Sequence, residues 1–211
     1  MMKQTILTSA AVAAALSGSV AMAELSGNAA ASTNYIWRGI TQTGDAAAVS
    51  GGIDWSDDSG MYAGTWVSTI AGGQEVDLYA GYATDMFDVG VIAYTYPVSP
   101  NINFTEVYAN VSFENISAGI ATTVDAASGN TGGAFDKGDI YINVGADFDA
   151  VSVWLGSYMF DADSATNPLN YVHYGVSTSK DDFTFSIDKT DQDGPAGAMR
   201  VGVTWSKEWE L

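Results

Sequence analysis

Apolar and polar residues alternate along most of the chain, and helical spacing is nowhere sustained. Segment 139–148 shows this most clearly: its even positions, Ile140 to Phe148, are apolar, and its odd positions, Asp139 to Asp147, are polar, glycine or tyrosine. Successive side chains of a β-strand point to opposite faces. The pattern therefore predicts strands with one apolar and one polar face, and hence an all-β fold.

Segments of this kind are separated by clusters of Gly, Asp, Asn, Ser and Pro, the residues that favour turns. Counting them predicts about twelve strands. They are expected near residues 25–40, 47–56, 60–70, 75–84, 88–97, 103–114, 116–125, 139–148, 151–160, 170–179, 182–190 and 199–211.

The connections between these segments alternate in length. Those after the even-numbered strands are short, whereas those after the odd-numbered strands are mostly longer, the longest being 125–138. Short periplasmic turns and longer extracellular loops are typical of outer-membrane barrels. An even number of strands also brings both ends of the sheet to the periplasmic side.

The apolar face of such a sheet needs a cover, and no helix is predicted to supply one. A closed antiparallel up-and-down transmembrane β-barrel would turn that face toward lipid and leave no free strand edge. Trp205, Trp209 and Leu211 share one parity of the last strand, as lipid-facing residues would. A soluble periplasmic β-sandwich, with the apolar face inside, remains the alternative fold.

The first 23 residues have the pattern of a secretory signal peptide. Lys3 precedes an apolar stretch from Ile6 to Leu16, and Ala21-Met22-Ala23 places small residues before Glu24. The apolar run is too short for a membrane-spanning helix, which needs about 18 residues or more. We expect cleavage after Ala23, export across the inner membrane, and a single barrel domain over residues 24–211.

Composition excludes several classes of function. Among 211 residues, 7 are basic and 25 acidic, for a net charge of −18, which disfavours nucleic acid as a partner. The chain has no Cys and one His, and no Gly-x-Ser-x-Gly motif, so neither an enzyme nor a cofactor is predicted. Segment 188–194 fails as a calcium loop, because Lys189 takes a ligand position and Arg200 replaces the bidentate Glu. No metal site is predicted.

Several short segments occur in an order and spacing that resemble a known family. They are 33–43 (TNYIWRGITQT), 51–55 (GGIDW), 59–68 (SGMYAGTWVS), 75–82 (EVDLYAGY), 94–97 (YTYP) and 104–108 (FTEVY). The series is similar to the TorF family of porins, also described as the Gcw_chp family. The match is good over residues 25–110, whereas the second half resembles the family only in strand rhythm. The resemblance implies an outer-membrane β-barrel of Gram-negative bacteria with a pore function.

The charged residues of the barrel segments fall on the polar parity. Arg or Lys facing lipid at mid-bilayer costs about 2–4 kcal/mol, so these residues are expected to face the lumen. The predicted pore-lining residues are Arg38, Asp54, Glu75, Asp77, Glu106, Asp139, Asp147, His173, Asp188 and Arg200.

Seven acids against two arginines in this set predict a preference for cations. The expected function is a porin-like channel for passive diffusion of small hydrophilic solutes, in contact with outer-membrane lipid. A barrel filled by its own side chains, with a structural or adhesive role and no conductance, is the alternative. Arg38, late in the first predicted strand, and Arg200, early in the last, are expected to lie side by side near the outer mouth.

Overall fold

The computed structural model describes residues 24–127, 135–163 and 169–211; the predicted signal peptide and its cleavage site lie outside these residues. The regular structure of the described chain is β-strand, apart from two 3-10 turns at Pro100–Ile102 and Gly194–Gly197. In chain order the strands are β1 (Glu24–Ser32), β2 (Ile36–Trp37), β3 (Ile40–Thr41), β4 (Ala48–Ser56), β5 (Met61–Ile70), β6 (Gly73–Ala83), β7 (Phe87–Thr95), β8 (Phe104–Phe113), β9 (Ile116–Ala126), β10 (Ile140–Phe148), β11 (Val151–Met159), β12 (Tyr171–Lys180), β13 (Phe183–Thr190) and β14 (Arg200–Glu210).

Twelve of these strands form a closed barrel in the order β1-β14-β13-β12-β11-β10-β9-β8-β7-β6-β5-β4. Every neighbouring pair is antiparallel, and β1 closes the ring by pairing with both β14 and β4. Full closure pairs the backbone of both edge strands, so no edge is exposed. The predicted closed antiparallel barrel of about twelve strands is confirmed, and the sandwich alternative is excluded.

The alternation in the sequence corresponds to the two faces of the barrel wall. On β10 the apolar Ile142, Val144 and Phe148 are exposed on the outside, whereas Tyr141 and Asn143 are partly covered on the inside. The outer wall is therefore an apolar surface, and the polar parity faces the lumen.

The barrel has two different ends. The turn end carries Glu24, Glu210 and the short connections that follow β4, β6, β8, β10 and β12. Three of these tight turns place Glu114, Asp149 and Asp181 in the left-handed region, at φ of 54°, 50° and 55°, as hairpin turns of the mirror-image types require. The loop end carries the longer connections, except that β5 and β6 are joined through Ala71 and Gly72 alone.

The predicted C-terminal end of the first strand, 25–40, is wrong. Strand β1 stops at Ser32, and Thr33 continues its pairing with β14 by donating its backbone N–H to Val203 O at 2.9 Å. The chain then leaves the wall and folds inward. Arg38 and Gly39 have φ of 47° and 81°, a left-handed pair that closes the small β2–β3 hairpin inside the barrel.

Candidate functional site

Residues 33–47, called the plug below, fold inward at the loop end of the barrel, where residues 35–39 are buried in the lumen and residues 44–47 remain exposed. Tyr35, Ile36, Trp37 and Arg38 of this segment are all less than 9% exposed. Two features of the hairpin require glycine at position 39. The backbone has a positive φ there, and a Cβ at Gly39 would lie 2.5 Å from the Cβ of His173. The plug is thus packed against the inner wall rather than lying over the barrel mouth.

Trp37 anchors the plug in a cluster of aromatic side chains. Its ring centroid lies 5.6 Å from that of Tyr94, 6.2 Å from Phe104, 5.6 Å from Phe135 and 6.0 Å from Tyr158, mostly edge to face. Such aromatic pairs are stabilising beyond the area they bury. The loop-end half of the lumen therefore has a packed apolar core inside a wall whose outside is also apolar.

Arg38 is held in this core by an ion pair and by aromatic rings. Its two terminal nitrogens donate to the two carboxylate oxygens of Glu106 at 2.8 and 2.7 Å. The guanidinium also lies 4.3 Å from the ring centroid of Trp37 and 4.0 Å from that of Tyr141. The backbone carbonyl of Arg38 accepts the hydroxyl of Tyr171 at 3.0 Å. A bidentate pair stacked between rings fixes both the charge and the orientation of the side chain.

A second contact joins the plug to the acidic wall of β6. The Tyr35 hydroxyl donates to Glu75 Oε1 at 2.6 Å, and its ring meets Trp66 edge to face at 5.4 Å. Asp77, two positions further along β6, is 2% exposed, and its Oδ1 has no hydrogen-bond partner among the described residues. Glu75 is therefore satisfied by the plug, whereas Asp77 is not.

The second half of the plug is tied to β14 through Asp45. Arg200 donates from Nε to Asp45 Oδ1 at 2.8 Å and from its terminal nitrogens to the carbonyls of Pro195, Ala196 and Ala198. Hydrogen bonds from Arg200 and from Asn34 lower the pKa of the exposed Asp45 carboxyl below its usual 3.8. Arg200 thus links a loop-end turn, the plug and the barrel wall.

The expected pairing of Arg38 with Arg200 across the closing seam is wrong. Arg200 stays at the seam, on β14, whereas the Arg38 guanidinium contacts Glu106 on β8 and Tyr141 on β10, on the far side of the ring. The physical reason is that Arg38 does not belong to β1. The inward hairpin carries it across the lumen to the buried carboxylate that neutralises it.

Two further predicted residues are buried at the loop end. Asp139 is fully buried and accepts the backbone N–H groups of Asp136 and Asp161, each at 2.9 Å, so it joins two loops. His173 lies under Gly39, and its Nε2 is 2.8 Å from the Tyr141 hydroxyl. Its Nδ1 has no hydrogen-bond partner among the described residues, so no carboxylate orients the ring as a catalytic triad would require.

Below the plug, the turn-end half of the lumen is a cavity of about 560 Å³, called the cup. It extends from Asp181 and Asp182, in the turn between β12 and β13, up to Asn34, Tyr35 and Ile36. Serine, threonine and asparagine side chains make up much of its wall. Its interior acids and rings include Asp54, Asp77, Asp188, Tyr62, Trp66, Tyr79 and Trp154.

The predicted pore-lining residues therefore separate into distinct groups. Arg38, Glu75, Glu106, Asp139, His173 and Arg200 lie around the plug. Asp54, Asp77 and Asp188 line the cup, where Asp54 accepts hydrogen bonds from Asn28, at 2.9 Å, and from Tyr79. Asp147 is on the inner parity of β10 but lies outside the cup, where it accepts the Ser152 hydroxyl at 2.6 Å.

Sequence reasoning missed Tyr35, Trp37 and Asp45 as interior contacts. A signal was present, since residues 41–45 read Thr-Gln-Thr-Gly-Asp, a run of turn-forming residues unsuited to a strand end. Asp88 was also missed, although it occupies the inner parity of β7 and accepts the Tyr62 hydroxyl at 2.6 Å.

No helix among the described residues is long and apolar enough to cross a bilayer. No three His, Cys, Asp or Glu side chains in the same residues are grouped so that they could hold a metal ion.

The fold and the lumen together define a closed twelve-stranded antiparallel β-barrel with an apolar outer wall and an inward-folded plug. The chain belongs to the Gcw_chp family, described as bacterial protein of unknown function, whose profile matches residues 16–201. The resemblance to that family drawn from the sequence is confirmed. No curated protein matches the sequence.

Solved structures with similar barrels share little sequence with this chain. One, from work on the in-meso crystallisation of membrane proteins, has a TM-score of 0.56 at 14% identity, covering 88% of this chain and 84% of that one. A Rhodopseudomonas blastica porin mutant has a TM-score of 0.49 at 13% identity over 76% of this chain. A structure concerned with the asymmetric conductivity of engineered proteins has a TM-score of 0.48 at 14% identity over 75% of it. The chain spans 55% of the length of each of the last two.

Proposed function

We propose that the protein is an outer-membrane channel of the porin type, through which small hydrophilic solutes, with a preference for cations, cross by passive diffusion. The observation that carries the proposal is the sidedness of the barrel wall. Residues such as Val144 and Phe148 cover the outside, while acids such as Asp54 and Asp188 face a cavity inside the closed ring of strands. A bilayer provides the apolar surrounding that such a wall needs.

This proposal includes an orientation and a route of export. The turn end faces the periplasm and the loop end the exterior, as in barrels with short periplasmic turns. Residues 1–23 direct export and are removed after Ala23. Mature protein isolated from the outer membrane should begin at Glu24, and an N-terminus upstream of Leu7 would contradict this route.

The role is transport rather than catalysis. His173 contacts Tyr141 rather than a serine, which gives the one imidazole of the chain a packing role beneath Gly39. The cation preference is supported by the cup, where Asp54, Asp77 and Asp188 outnumber the lining lysine Lys207, which is itself paired with Asp182.

The plug makes this conformation a closed one. Conduction requires the plug to move, because its aromatic and ionic contacts fill the loop-end half of the lumen. The same contacts favour a second candidate, a permanently closed barrel with a structural or adhesive role. The burial of the Arg38–Glu106 ion pair is the specific observation that favours a permanently closed barrel. Moving the plug would leave Glu106 buried without its counter-ion, which is strongly unfavourable.

Conductance in planar bilayers tests the proposal, with a variant designed from the register. Ser32 and Ala48 are direct partners across β1 and β4, so residues 33–47 can be replaced by a two-residue Asn-Gly turn without breaking the ring. We expect large, steady conductance from this variant and intermittent openings from the unchanged protein. A heat-dependent shift in gel mobility shows that each barrel is folded.

The outcomes separate the two candidates. Openings of the unchanged protein support the channel. A plug-free variant that conducts beside an unchanged protein that never opens supports the structural barrel. A folded plug-free variant without conductance contradicts the channel altogether.

A further inference from the structure

We propose that the cup is a binding site for a linear organic di- or polyamine, held at one end by Asp77 and at the other by Asp188. The proposal rests on the proposed channel function, in that it names the class of solute for the same lumen. It is carried by the unpartnered carboxylate oxygen of Asp77, by the position of Asp188 and by the tryptophan side chains that line the cup.

Asp77 is a buried carboxyl with an unused oxygen. The side chain is on the inner parity of β6, lines the cup and is 2% exposed, yet Oδ1 has no hydrogen-bond partner among the described residues. A buried polar atom without a partner is strongly unfavourable. Glu75, its neighbour on the same face, already accepts the Tyr35 hydroxyl and brings no cation. Oδ1 is closed to solvent in this conformation, so an ammonium group in the cup would satisfy Asp77 once its side chain turns toward the cavity.

Asp188 lies across the lumen from Asp77. In the ring of twelve strands, β6 and β13 are separated by five strand-to-strand steps, which places the two carboxyls on facing walls. Asp188 also lines the cup and lies beside Ser186 and Trp154. Arg200 is its cross-strand partner, but that guanidinium is bound by Asp45 and three backbone carbonyls. Two acids facing each other across a cavity match a ligand with two separated positive charges.

The shape and lining of the cup favour an organic cation over a metal ion. Its volume of about 560 Å³ is within the range of small-molecule sites. Trp66 and Trp154 line the cup, and alkylammonium groups bind well to tryptophan. The described residues hold no three acids grouped for a metal, so a compact divalent cation would lack its oxygen shell.

The test is calorimetric titration of detergent-folded protein with spermidine, with putrescine, ethylamine, Mg²⁺ and sucrose as comparison ligands. We expect saturable binding of spermidine and putrescine, and binding of ethylamine and Mg²⁺ at least tenfold weaker. Asp77→Asn should weaken spermidine binding about tenfold or more, because it removes the charge while leaving a side chain of the same shape. Asp147→Asn is the matched control, an inner-parity acid outside the cup, and should change the affinity less than twofold.

Several outcomes would overturn the site. Mg²⁺ binding as tight as spermidine would reduce the effect to general attraction by acids. Equal losses of affinity in Asp77→Asn and Asp147→Asn would also indicate general attraction by acids. The absence of saturable binding at millimolar spermidine would exclude the site. Because binding is measured without conductance, its failure is distinct from failure of the channel. If the barrel conducts but does not bind spermidine, the binding site is refuted and the channel is not. If it binds spermidine but never conducts, the channel is refuted and the binding site is not.

Discussion

Arg38 and Glu106 are 68 residues apart in the chain, and their side chains meet inside the barrel through two hydrogen bonds of 2.8 and 2.7 Å. One partner belongs to the plug and the other to the wall on the far side of the lumen. The pair therefore fixes how deep the plug lies, since a carboxylate buried at this position without a counter-ion would be strongly unfavourable.

Removing Arg38 should destabilise the whole barrel. Arg38→Ala leaves Glu106, which is 1% exposed, without its counter-ion, and breaking a buried pair in this way costs about 3–5 kcal/mol. The measurement is urea unfolding of the detergent-folded protein, with the temperature of the gel-mobility shift as a second readout. Lys207→Ala is the control, because its pair with Asp182 is half exposed and such pairs contribute about 0–1 kcal/mol.

A double variant tests whether the effect belongs to the pair. Arg38→Met combined with Glu106→Gln removes both charges together and should recover part of the stability that Arg38→Ala loses. An Arg38→Ala barrel as stable as Lys207→Ala would show that the pair does not hold the plug.

Gly39 should be more sensitive to substitution than any other glycine of the plug. Gly39→Ala combines a positive φ of 81° with a Cβ placed 2.5 Å from the Cβ of His173, so the hairpin must shift. Gly44→Ala is a matched control in the same segment, with φ of 64° and open space around the new Cβ. The control should lose about 1–2 kcal/mol from the backbone alone, and Gly39→Ala clearly more. Equal losses in urea unfolding would contradict the close packing of plug on His173.

Much of the barrel wall could be predicted from the sequence, because strand parity is a local property. Strand β10 was expected at 139–148 and is found at Ile140–Phe148, since each residue of that segment reports its own face. The short turns were predictable for the same reason. Asp149 and Ala150 separate two such segments with no room for anything longer.

The plug could not be found in this way. Tyr35 and Trp37 fit the lipid-facing positions of a strand as well as they fit an aromatic core. The alternating pattern therefore predicts that the first strand continues through them. Arg38 lies inside the barrel, but on the inward hairpin rather than beside Arg200. Its contact with Glu106 depends on the three-dimensional path of the inward hairpin, and no spacing along the chain encodes that path.

The link between Asp45 and Arg200 should depend on pH. The pKa of Asp45 is lowered by hydrogen bonds from Arg200 and Asn34, so the charged form is favoured in the folded state. Its stabilising contribution is complete above the ordinary carboxyl pKa near 3.8 and is lost as the pH falls below it. In planar bilayers, we expect openings to become more frequent below about pH 4.

Two substitutions separate this link from general effects of acid. Asp45→Asn should show frequent openings already at neutral pH, with a weaker further response to acid. Asp163→Asn is the control, because Asp163 also has a lowered pKa, caused by backbone N–H groups of Asn170 and Leu169 in a different loop. If both variants behave alike, Asp45 does not hold the plug in place.

Ion selectivity should follow the acids of the cup rather than those around the plug. Glu106 is neutralised by Arg38, whereas Asp54 and Asp188 line the open half of the lumen and set its field. A reversal potential measured across a salt gradient should show cation preference that weakens as the salt concentration rises and shortens the screening length. Asp54→Asn and Asp188→Asn should each lower the cation-to-anion permeability ratio, by about twofold or more at low salt.

Asp149→Asn serves as the control, since Asp149 is exposed in a turn where asparagine tolerates the left-handed backbone, and it should leave the ratio unchanged. Anion preference at low salt, or a ratio that responds to Asp149→Asn as strongly as to Asp54→Asn, would show that the cup acids do not select the ions.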